Sequence, residues 1–492
     1  MNGSRSVTRV VVLGRDVDLW LCVAAISSAL RPAGVQVVAV ELPSLLQPSH
    51  VSATLPPLEA LHAKLKIEES ALLRATSGSF SLGQNFVAAA RPAFFHAWGA
   101  YGASVEGSAF FPLWLRATRS GLNVPLENFS LTAVAAHNGR MLLPDAVTST
   151  FGRTDYGYHL QTLPYVGLLK SMAARLGAQI REAQAVTVER DQTTGDIAAL
   201  NVDDSLRIEG QLFVDATGED ATHIGQSLGV AREAWREYFS VDRVVCGRAP
   251  VFTSTPPFAE IRVGSTGWTA LHPTRVMTGV LHAYSSRLSS DEAALESARA
   301  ACGAKLVDAA WHRVDPCIRS SVWEGNCIAV GGAACALDPI HDVGLHVLQL
   351  GLVHLLSLFP ITEQFAAERA EYNRLIRSYC ERVRDFQCAF YALSPNTLRP
   401  QAIPPSLEHK IATFRARGVI APMEDETFSP DSWQALFTGL GVVPESWPPA
   451  ADRIAPQRMQ EQFRHMLGFI RGKVLEQPSH HGYLESFCRS LS

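Results

Sequence analysis

The first residues suited to binding chemistry follow the opening apolar run of the chain. A dinucleotide site needs glycines here, because the backbone must turn tightly and bring its N–H groups to a pyrophosphate at a helix N-terminus. The sequence reads Gly14-Arg15-Asp16-Val17-Asp18-Leu19, so only the first glycine of the G-x-G-x-x-G pattern is present. Asp16 and Asp18 would oppose a diphosphate by Coulomb repulsion, which Arg15 would partly offset. This segment alone predicts poor dinucleotide binding.

Other polar and glycine residues end later apolar runs. Glu41 ends the second run, where a carboxylate can accept hydrogen bonds from a ribose, although a polar strand end is the commoner explanation of one isolated Glu. FVDATG ends a later run, and CIAVGG ends another. The DATG sequence is either a turn beside a cofactor or an ordinary turn that ends a strand. The predicted cofactor contacts are Gly14, Glu41, Asp215, Gly218, Gly332 and Ala333.

An aromatic segment is the best candidate for a substrate pocket. Residues 94–116 read FFHAWGAYGASVEGSAFFPLWLR. His96, Trp98, Tyr101 and Trp114 can line a pocket for an aromatic ring, and core packing explains such a cluster equally well.

The elements that must position these residues follow from hydrophobic periodicity. Residues 9–13, 19–30 and 35–40 predict a βαβ unit, and residues 211–218 and 327–332 read as strands that return to the same sheet. Residues 186–189, 197–202 and 207–209 flank turn-forming residues and predict an antiparallel β-meander. From Pro360 onward helical patterns dominate, interrupted by proline clusters.

Composition limits the classes of function. With 492 residues, 47% hydrophobic and 18% charged, the chain can bury a large core, and a net charge of -4 argues against nucleic acid or anionic membrane as a partner. The nine cysteines include no CxxC pair, so we predict reduced thiols and no metal site. The apolar stretch 343–360 is interrupted by His346, Gln349 and His354, which favours a buried helix over a membrane span. The opening segment lacks a signal-peptide pattern, and we expect a cytoplasmic protein.

The order of several segments resembles the tryptophan halogenase family. The collinear strings are YGYHLQTLPYVGLLKSMAARLGAQI, FVDATG, STGWTALHP, WEGNCIAVGGAACALDPIHDVGLH and AIPPSLEHKIATFRARG. The resemblance implies a Rossmann-like FAD-binding domain of the two-domain flavoprotein type, an antiparallel β-meander and an added, largely helical substrate domain. It places the FAD-type domain at 1–360, in pieces 1–50, 150–235 and 320–360, with substrate-facing insertions 51–149 and 236–319. A helical subdomain would occupy 361–492.

The resemblance also implies a chemistry. In the family, reduced FAD and oxygen oxidise chloride or bromide, and hypohalous acid travels through a tunnel to an aromatic substrate. A Lys in an F-K-L-G segment holds or activates that acid, but here the segment reads Phe80-Ser81-Leu82-Gly83. Ser81 has no amine and no cation for this step. A Glu in the family's E-P-L-E-S-T-G segment corresponds to His341, which can act as a base near neutral pH or serve as a structural turn residue.

Further functional segments of the family differ as well. The halide contacts map to the backbone N–H groups of Val343 and Gly344, beside the negative charge of Asp342. The W-x-W-x-I-P signature retains Trp268, which we also expect to face the substrate, but has Ala270 in place of the second Trp. The G-E-A-T stretch near FAD reads VSAT, without its Glu.

Two functional hypotheses result. In the first, the chain does not halogenate by itself and acts as a non-catalytic partner of a related halogenase, in a hetero-oligomer or as a homodimer, or binds an aromatic small molecule or peptide. In the second, it is an active FAD-dependent halogenase or oxygenase that depends on a flavin reductase. We expect partner contacts on residues 371–391 and 406–417, with Glu371, Arg382, Arg384 and Asp385 at a polar rim.

Overall fold

The computed structural model describes residues 6–89, 91–142, 155–394 and 396–489. The predicted boundary at 149 and 150 lies outside these ranges. The strands are β1 Arg9–Gly14, β2 Gln36–Glu41, β3 Val51–Ala53, β4 Ser79–Ser81, β5 Gly83–Ala88, β6 Arg91–Ala97, β7 Gly157–Gln161, β8 Gln179–Glu182, β9 Val186–Arg190, β10 Ile197–Val202, β11 Leu206–Glu209, β12 Leu212–Ala216, β13 Arg232–Ala234, β14 Arg243–Ala249, β15 Ala259–Val263, β16 Gly267–Pro273, β17 Thr278–Tyr284, β18 Val307–Arg313, β19 Cys317–Arg319, β20 Trp323–Glu324, β21 Cys327–Ala329 and β22 Cys335–Ala336.

The helices of the described chain alternate with these strands in its first part and dominate its last part. They are α1 Asp16–Leu30, α2 Pro57–Lys64, α3 Glu69–Ala75, α4 Phe110–Arg119, α5 Leu131–His137, α6 Thr162–Arg175, α7 Asp291–Cys302, α8 Gly344–Ser357, α9 Ala366–Ala392, α10 Pro405–Arg417, α11 Pro430–Gly439, α12 Pro456–Glu476 and α13 His480–Phe487.

The chain divides into two compact units. Unit 1 comprises Met1–Thr76, Gln161–Arg236 and Val314–Arg382, and unit 2 comprises Ser77–Leu160, Glu237–Arg313 and Val383–Ser492. The packing boundary near the C-terminal part therefore falls at 382, whereas the sequence predicted a boundary at 360. The reason lies in the first turns of α9, where the Tyr372 hydroxyl donates to the Gly351 carbonyl at 3.2 Å and Asn373 accepts the Trp323 N–H at 2.8 Å.

Unit 1 is built on a six-stranded sheet of order β20-β21-β12-β1-β2-β8. The predicted βαβ unit is confirmed as β1, α1 and β2, and the two returning segments form β12 and β21, parallel to β1. Residues 10–13 of β1 are fully buried, as expected of a strand covered on both faces. The predicted meander is confirmed as β9, β10 and β11, all antiparallel.

Unit 2 contains a seven-stranded sheet of order β18-β14-β17-β16-β15-β5-β6. Most neighbours are antiparallel, but β5 runs parallel to β15. A β4–β7 pair lies apart from this sheet and brings Ser81 opposite Gly157.

Two of the residues predicted to lie at a polar rim for a partner are buried in the structure. Arg384 and Asp385 are buried and form an ion pair at 2.8 Å, and the Ser406 hydroxyl donates to Asp385. Placing these two residues at a partner rim was wrong, because that half of α9 is covered by the protein's own core.

Among the described residues, the segment Ile340–Ser357 is long and apolar enough, by length and composition only, to cross a membrane, and 56% of it is buried. A core helix passes the same test.

Candidate functional site

The carboxyl ends of the parallel strands in unit 1 bring several predicted cofactor residues together. Gly14 pairs with Ala216, and a Cβ at Gly14 would lie 2.3 Å from the Ala216 oxygen, so this position requires glycine for strand packing. Gly218 and Gly332 face each other so closely that a Cβ on Gly332 would lie 3.2 Å from the Gly218 Cα. Ala333 is buried in the same turn as Gly332. Parallel sheets bind nucleotides at this end.

Asp215 has a structural task at this end of the sheet. Its carboxylate is fully buried and accepts hydrogen bonds from the Thr217 hydroxyl at 2.6 Å and from the backbone N–H groups of His223 at 2.7 Å and Ile224 at 2.9 Å. These contacts hold the DATG turn and the segment Thr222–Ser227 behind it. Because its oxygens are already occupied within the protein, Asp215 shapes the turn and leaves little capacity for a ligand.

Residues 14–18 and Gly331–Ala333, at the carboxyl ends of β1 and β21, correspond to the pyrophosphate cradle expected of a nucleotide site, and the Asp18 carboxylate lies against one of its backbone N–H groups. The Gly332 N–H points to Asp18 Oδ2 at 3.3 Å, and a Cβ at Gly331 would lie 2.4 Å from the same oxygen. Burial raises the pKa of Asp18 to about 6, the bond from Gly332 lowers it, and the neighbouring Asp16 raises it further. A side-chain carboxylate thus takes a backbone donor of the cradle and sets negative charge beside it.

Asp16 and Arg15 are also engaged by neighbouring residues. Asp16 accepts the Ser44 hydroxyl at 2.6 Å and the Leu45 N–H at 3.1 Å, from a backbone position with φ of 56°. Arg15 donates to Asp220 at 2.6 Å. The one cation at the helix start therefore has a carboxylate partner already.

Glu41 lies at the end of β2, as predicted, but both of its oxygens have partners. Trp20 Nε1 donates to one oxygen at 3.1 Å and Lys170 Nζ to the other at 2.6 Å. Lys170 was not predicted from the sequence, because it lies on α6, far from Glu41 in the chain. Neither helical i, i+4 spacing nor a position at a strand end would indicate this contact. Among the described residues of this sheet end, Asp18 takes the Gly332 N–H, which a pyrophosphate would use, whereas Asp16 is bound by Ser44 and Leu45.

Ser81 is buried at the end of β4. Its hydroxyl reaches the Gly83 carbonyl at 3.3 Å, within its own turn. Gly83 has φ of 155°, and a Cβ there would lie 2.2 Å from the His96 oxygen, so the glycine of this segment is required sterically. Phe80 packs against Tyr156, Tyr158 and Tyr483. The segment thus keeps its shape without an amine at position 81.

His341 sits in a short turn before α8. It is 1% exposed and has φ of 67°, a left-handed conformation that a non-glycine residue adopts at a cost. Asp338 Oδ1 accepts the Ile340 N–H at 2.9 Å and shapes the turn. Val343 caps α8 without a side-chain hydrogen bond, and Gly344 is its first residue. The N–H groups predicted to contact halide lie at this helix start.

The five predicted substrate residues fall in three places of unit 2. His96 and Trp98 contact each other edge to face at 4.8 Å, and His96 also contacts Phe386 at 5.4 Å. Burial lowers the pKa of His96 to about 3, so the ring is neutral at physiological pH. Trp268 is buried and donates to the Tyr391 hydroxyl at 2.8 Å.

Tyr101 and Trp114 line a different place, a cavity of about 350 Å³. Arg91 and Thr438 line the same cavity, and sequence reasoning missed both. The cation of Arg91, three residues before the aromatic segment, is a signal that the sequence offers. Among the described residues, no group of three or more His, Cys, Asp and Glu side chains could hold a metal ion.

The parallel sheet of unit 1 has the form of a nucleotide-binding fold, and comparison with known proteins gives the family. The family model described as tryptophan halogenase matches residues 9–456, so the chain belongs to the tryptophan halogenase family. The tryptophan 6-halogenase SttH from Streptomyces toxytricini is 22% identical, with 98% of each chain covered.

Solved structures agree with this placement. BrvH, a flavin-dependent halogenase from Brevundimonas sp. BAL3, is 28% identical and has a TM-score of 0.93, with 98% of this chain and 99% of that chain covered. Xcc4156, a flavin-dependent halogenase from Xanthomonas campestris, is 29% identical with a TM-score of 0.93, covering 99% and 100% of the two chains. The predicted fold class is confirmed. The low identities make this chain a divergent member.

Proposed function

We propose that this chain does not halogenate by itself and that it acts as a non-catalytic partner of a related halogenase or as a ligand-binding protein. The observation that supports this most directly is the contact of Asp18 with the Gly332 N–H, because it sets a carboxylate on a backbone donor at the strand ends where parallel sheets bind nucleotides. Without bound FAD the oxidant of the family is not made. Ser81 adds a second reason, because no amine is available there to hold hypohalous acid.

The experiment has two measurements on the purified full-length chain. Calorimetric titration with FAD is expected to give weak binding or none, because repulsion by Asp16 and Asp18 opposes the diphosphate. With FAD, a flavin reductase, chloride or bromide, and a panel of indoles, phenols and peptides, we expect no halogenated product above a control without protein. BrvH, prepared in the same way, serves as the reference chain for FAD uptake.

Either measurement can overturn the proposal. Tight, stoichiometric FAD binding would show that the cradle rearranges to admit the cofactor. A mass increase of one halogen that depends on this protein would show that an agent other than a lysine at position 81 suffices.

An active FAD-dependent halogenase or oxygenase is the second candidate, and the backbone of His341 favours it. Strained left-handed residues concentrate at active sites, and a buried imidazole is a suitable base. Asn tolerates the left-handed region but is no base, so His341→Asn separates the two roles. If product formed by the wild-type chain disappeared in this variant while the fold persisted, His341 would be its base.

A further inference from the structure

One cavity in unit 2 carries polar groups that its own walls leave unsatisfied. The cavity measures about 350 Å³, at the lower end of the range of small-molecule sites. Its wall contains the aromatic residues Phe94, Phe95, Tyr101 and Trp114, all of them buried. It lies apart from Ser81, which does not line it.

The two polar aromatic residues present only their rings. The Tyr101 hydroxyl donates to the Phe95 carbonyl at 2.9 Å and accepts the Ala97 N–H at 2.9 Å. Trp114 Nε1 donates to the Val124 carbonyl at 3.0 Å. Because these polar atoms are occupied by backbone, the wall that remains is apolar and suits a planar ring.

Arg91 supplies a charge that the described residues do not pair. Its Nη2 atom is buried without a hydrogen-bond partner, although the residue lines the cavity. Burial lowers the pKa of Arg91, and no carboxylate acts in the opposite direction. Arg91 is half-buried and only its Nη2 atom lacks both solvent and a partner, so an anion that reached this atom would bind favourably.

Thr438, on α11, gives a second unsatisfied group in the same wall. Its Oγ1 is buried without a hydrogen-bond partner, whereas helical threonines commonly bond the preceding turn. A hydroxyl can donate to a carboxylate oxygen beside a guanidinium.

Glu127 is the one carboxylate in the wall, and its oxygens are engaged. Oε2 accepts the Phe95 N–H at 2.8 Å, and Oε1 lies 3.6 Å from His137 Nε2. The anionic end of a ligand therefore has a favourable position at Arg91.

We infer that this cavity binds a small aromatic carboxylate, with the ring between Phe94 and Trp114 and the carboxylate on Arg91 and Thr438. This inference does not depend on the proposed loss of halogenation, since it uses none of the residues at the FAD cradle or at position 81.

The test is calorimetric titration of the full chain with phenylacetate, phenylacetamide, phenethylamine and acetate. Phenylacetate is expected to bind at least tenfold more tightly than phenylacetamide, which has the ring without the charge. Acetate, which lacks the ring, and phenethylamine, which has the opposite charge, are expected to give no measurable binding. Equal binding of the amide, preferred binding of the amine, or no binding of phenylacetate would overturn the inference.

Variants locate the site. Arg91→Met is expected to weaken phenylacetate binding at least tenfold and to leave the ligand-free protein at least as thermally stable, because it removes a desolvated charge. Arg287→Met, at an exposed position of the same unit, is the matched control and should bind as wild type does. Ala93→Trp, at an exposed position of the cavity wall, should hinder ligand binding without disturbing the packing of the core. Unchanged binding in Arg91→Met would place any ligand elsewhere.

Discussion

Asp18 and Glu41, near the carboxyl ends of β1 and β2, are each bound by a residue that lies far away in the chain. The loss of two glycines at Asp16 and Leu19 is visible in the sequence, because the motif has fixed spacing. The partner of Asp18 is not, since Gly332 lies 314 positions away and the two meet only through parallel strand order. Likewise Glu41 was identified, but its bond to Lys170 depends on how α6 packs. The residue types could be predicted from the sequence, but their hydrogen-bond partners could not.

Asp18 should make stability depend on pH. Its folded pKa of about 6 exceeds the ordinary value of 3.8, so the folded state holds the proton more tightly than the unfolded state does. The free energy of unfolding that this group contributes is therefore present below pH 3.8 and is lost as pH rises towards 6. Asp18→Asn removes this loss. The variant should match wild type near pH 4 and exceed it at pH 7 by about 1–3 kcal/mol.

Urea unfolding at the two pH values measures the difference. Asp204→Asn changes an aspartate in an exposed turn and should show the pH dependence of wild type. An equal gain for Asp18→Asn at pH 4 and pH 7 would mean that the charge of Asp18 is not what costs stability.

Among the secondary-structure elements, local periodicity predicted those whose strands and helices follow one another directly in the chain. The βαβ unit and the meander were found because their strands and turns follow each other closely. The seven-stranded sheet was not predicted, since β5 pairs with β15 across a long stretch of chain and each strand looks ordinary alone. The aromatic segment beginning at Phe94 was seen as one pocket, but strand and helix geometry distributes His96, Trp98, Tyr101 and Trp114 over different places.

Gly83, at the start of β5, should be among the least replaceable glycines. Gly83→Ala meets both an unfavourable φ of 155° and a Cβ contact of 2.2 Å with the His96 backbone oxygen, which cannot move without disturbing β6. We expect a loss of about 2–4 kcal/mol in the free energy of unfolding. Gly303→Ala is the control: its φ is 64°, but no atom lies within 4 Å, so only the left-handed backbone is penalised, by roughly 1–2 kcal/mol.

Denaturant titration of the two glycine variants gives both values. If Gly303→Ala cost as much as Gly83→Ala, the close approach of β5 to β6 would carry no weight. This comparison bears on position 81 too, because the turn fixed by Gly83 is the one that holds Ser81.

Across the whole molecule, residues in the family's functional segments have changed, whereas the fold has been retained. The segments that resemble the family's glycine loop and lysine motif read differently here, while residues 9–456 still match the family model and the TM-score to BrvH is 0.93. A chain that had only accumulated damage would lose core packing as well, because core positions tolerate few changes. The intact core is therefore consistent with a use for the folded chain other than halogenation by itself.

That use should be detectable as a specific complex, and a related halogenase is the expected partner. Related chains of one fold can associate through equivalent faces, and an inactive subunit can stabilise or position substrate for its neighbour. Of the surfaces expected to make contact, α10 keeps an exposed polar side with Glu408, His409, Arg415 and Arg417, whereas Arg384 and Asp385 are withdrawn into the core. Affinity purification of the tagged chain from its native cell, followed by mass spectrometry, should recover a second chain of this family in comparable amount. The double substitution Arg415→Glu with Arg417→Glu should reduce that recovery, while Arg287→Glu, elsewhere on the surface, should leave it unchanged. Recovery of only a monomer or self-dimer, with no second chain and no retained small molecule, would contradict the partner proposal.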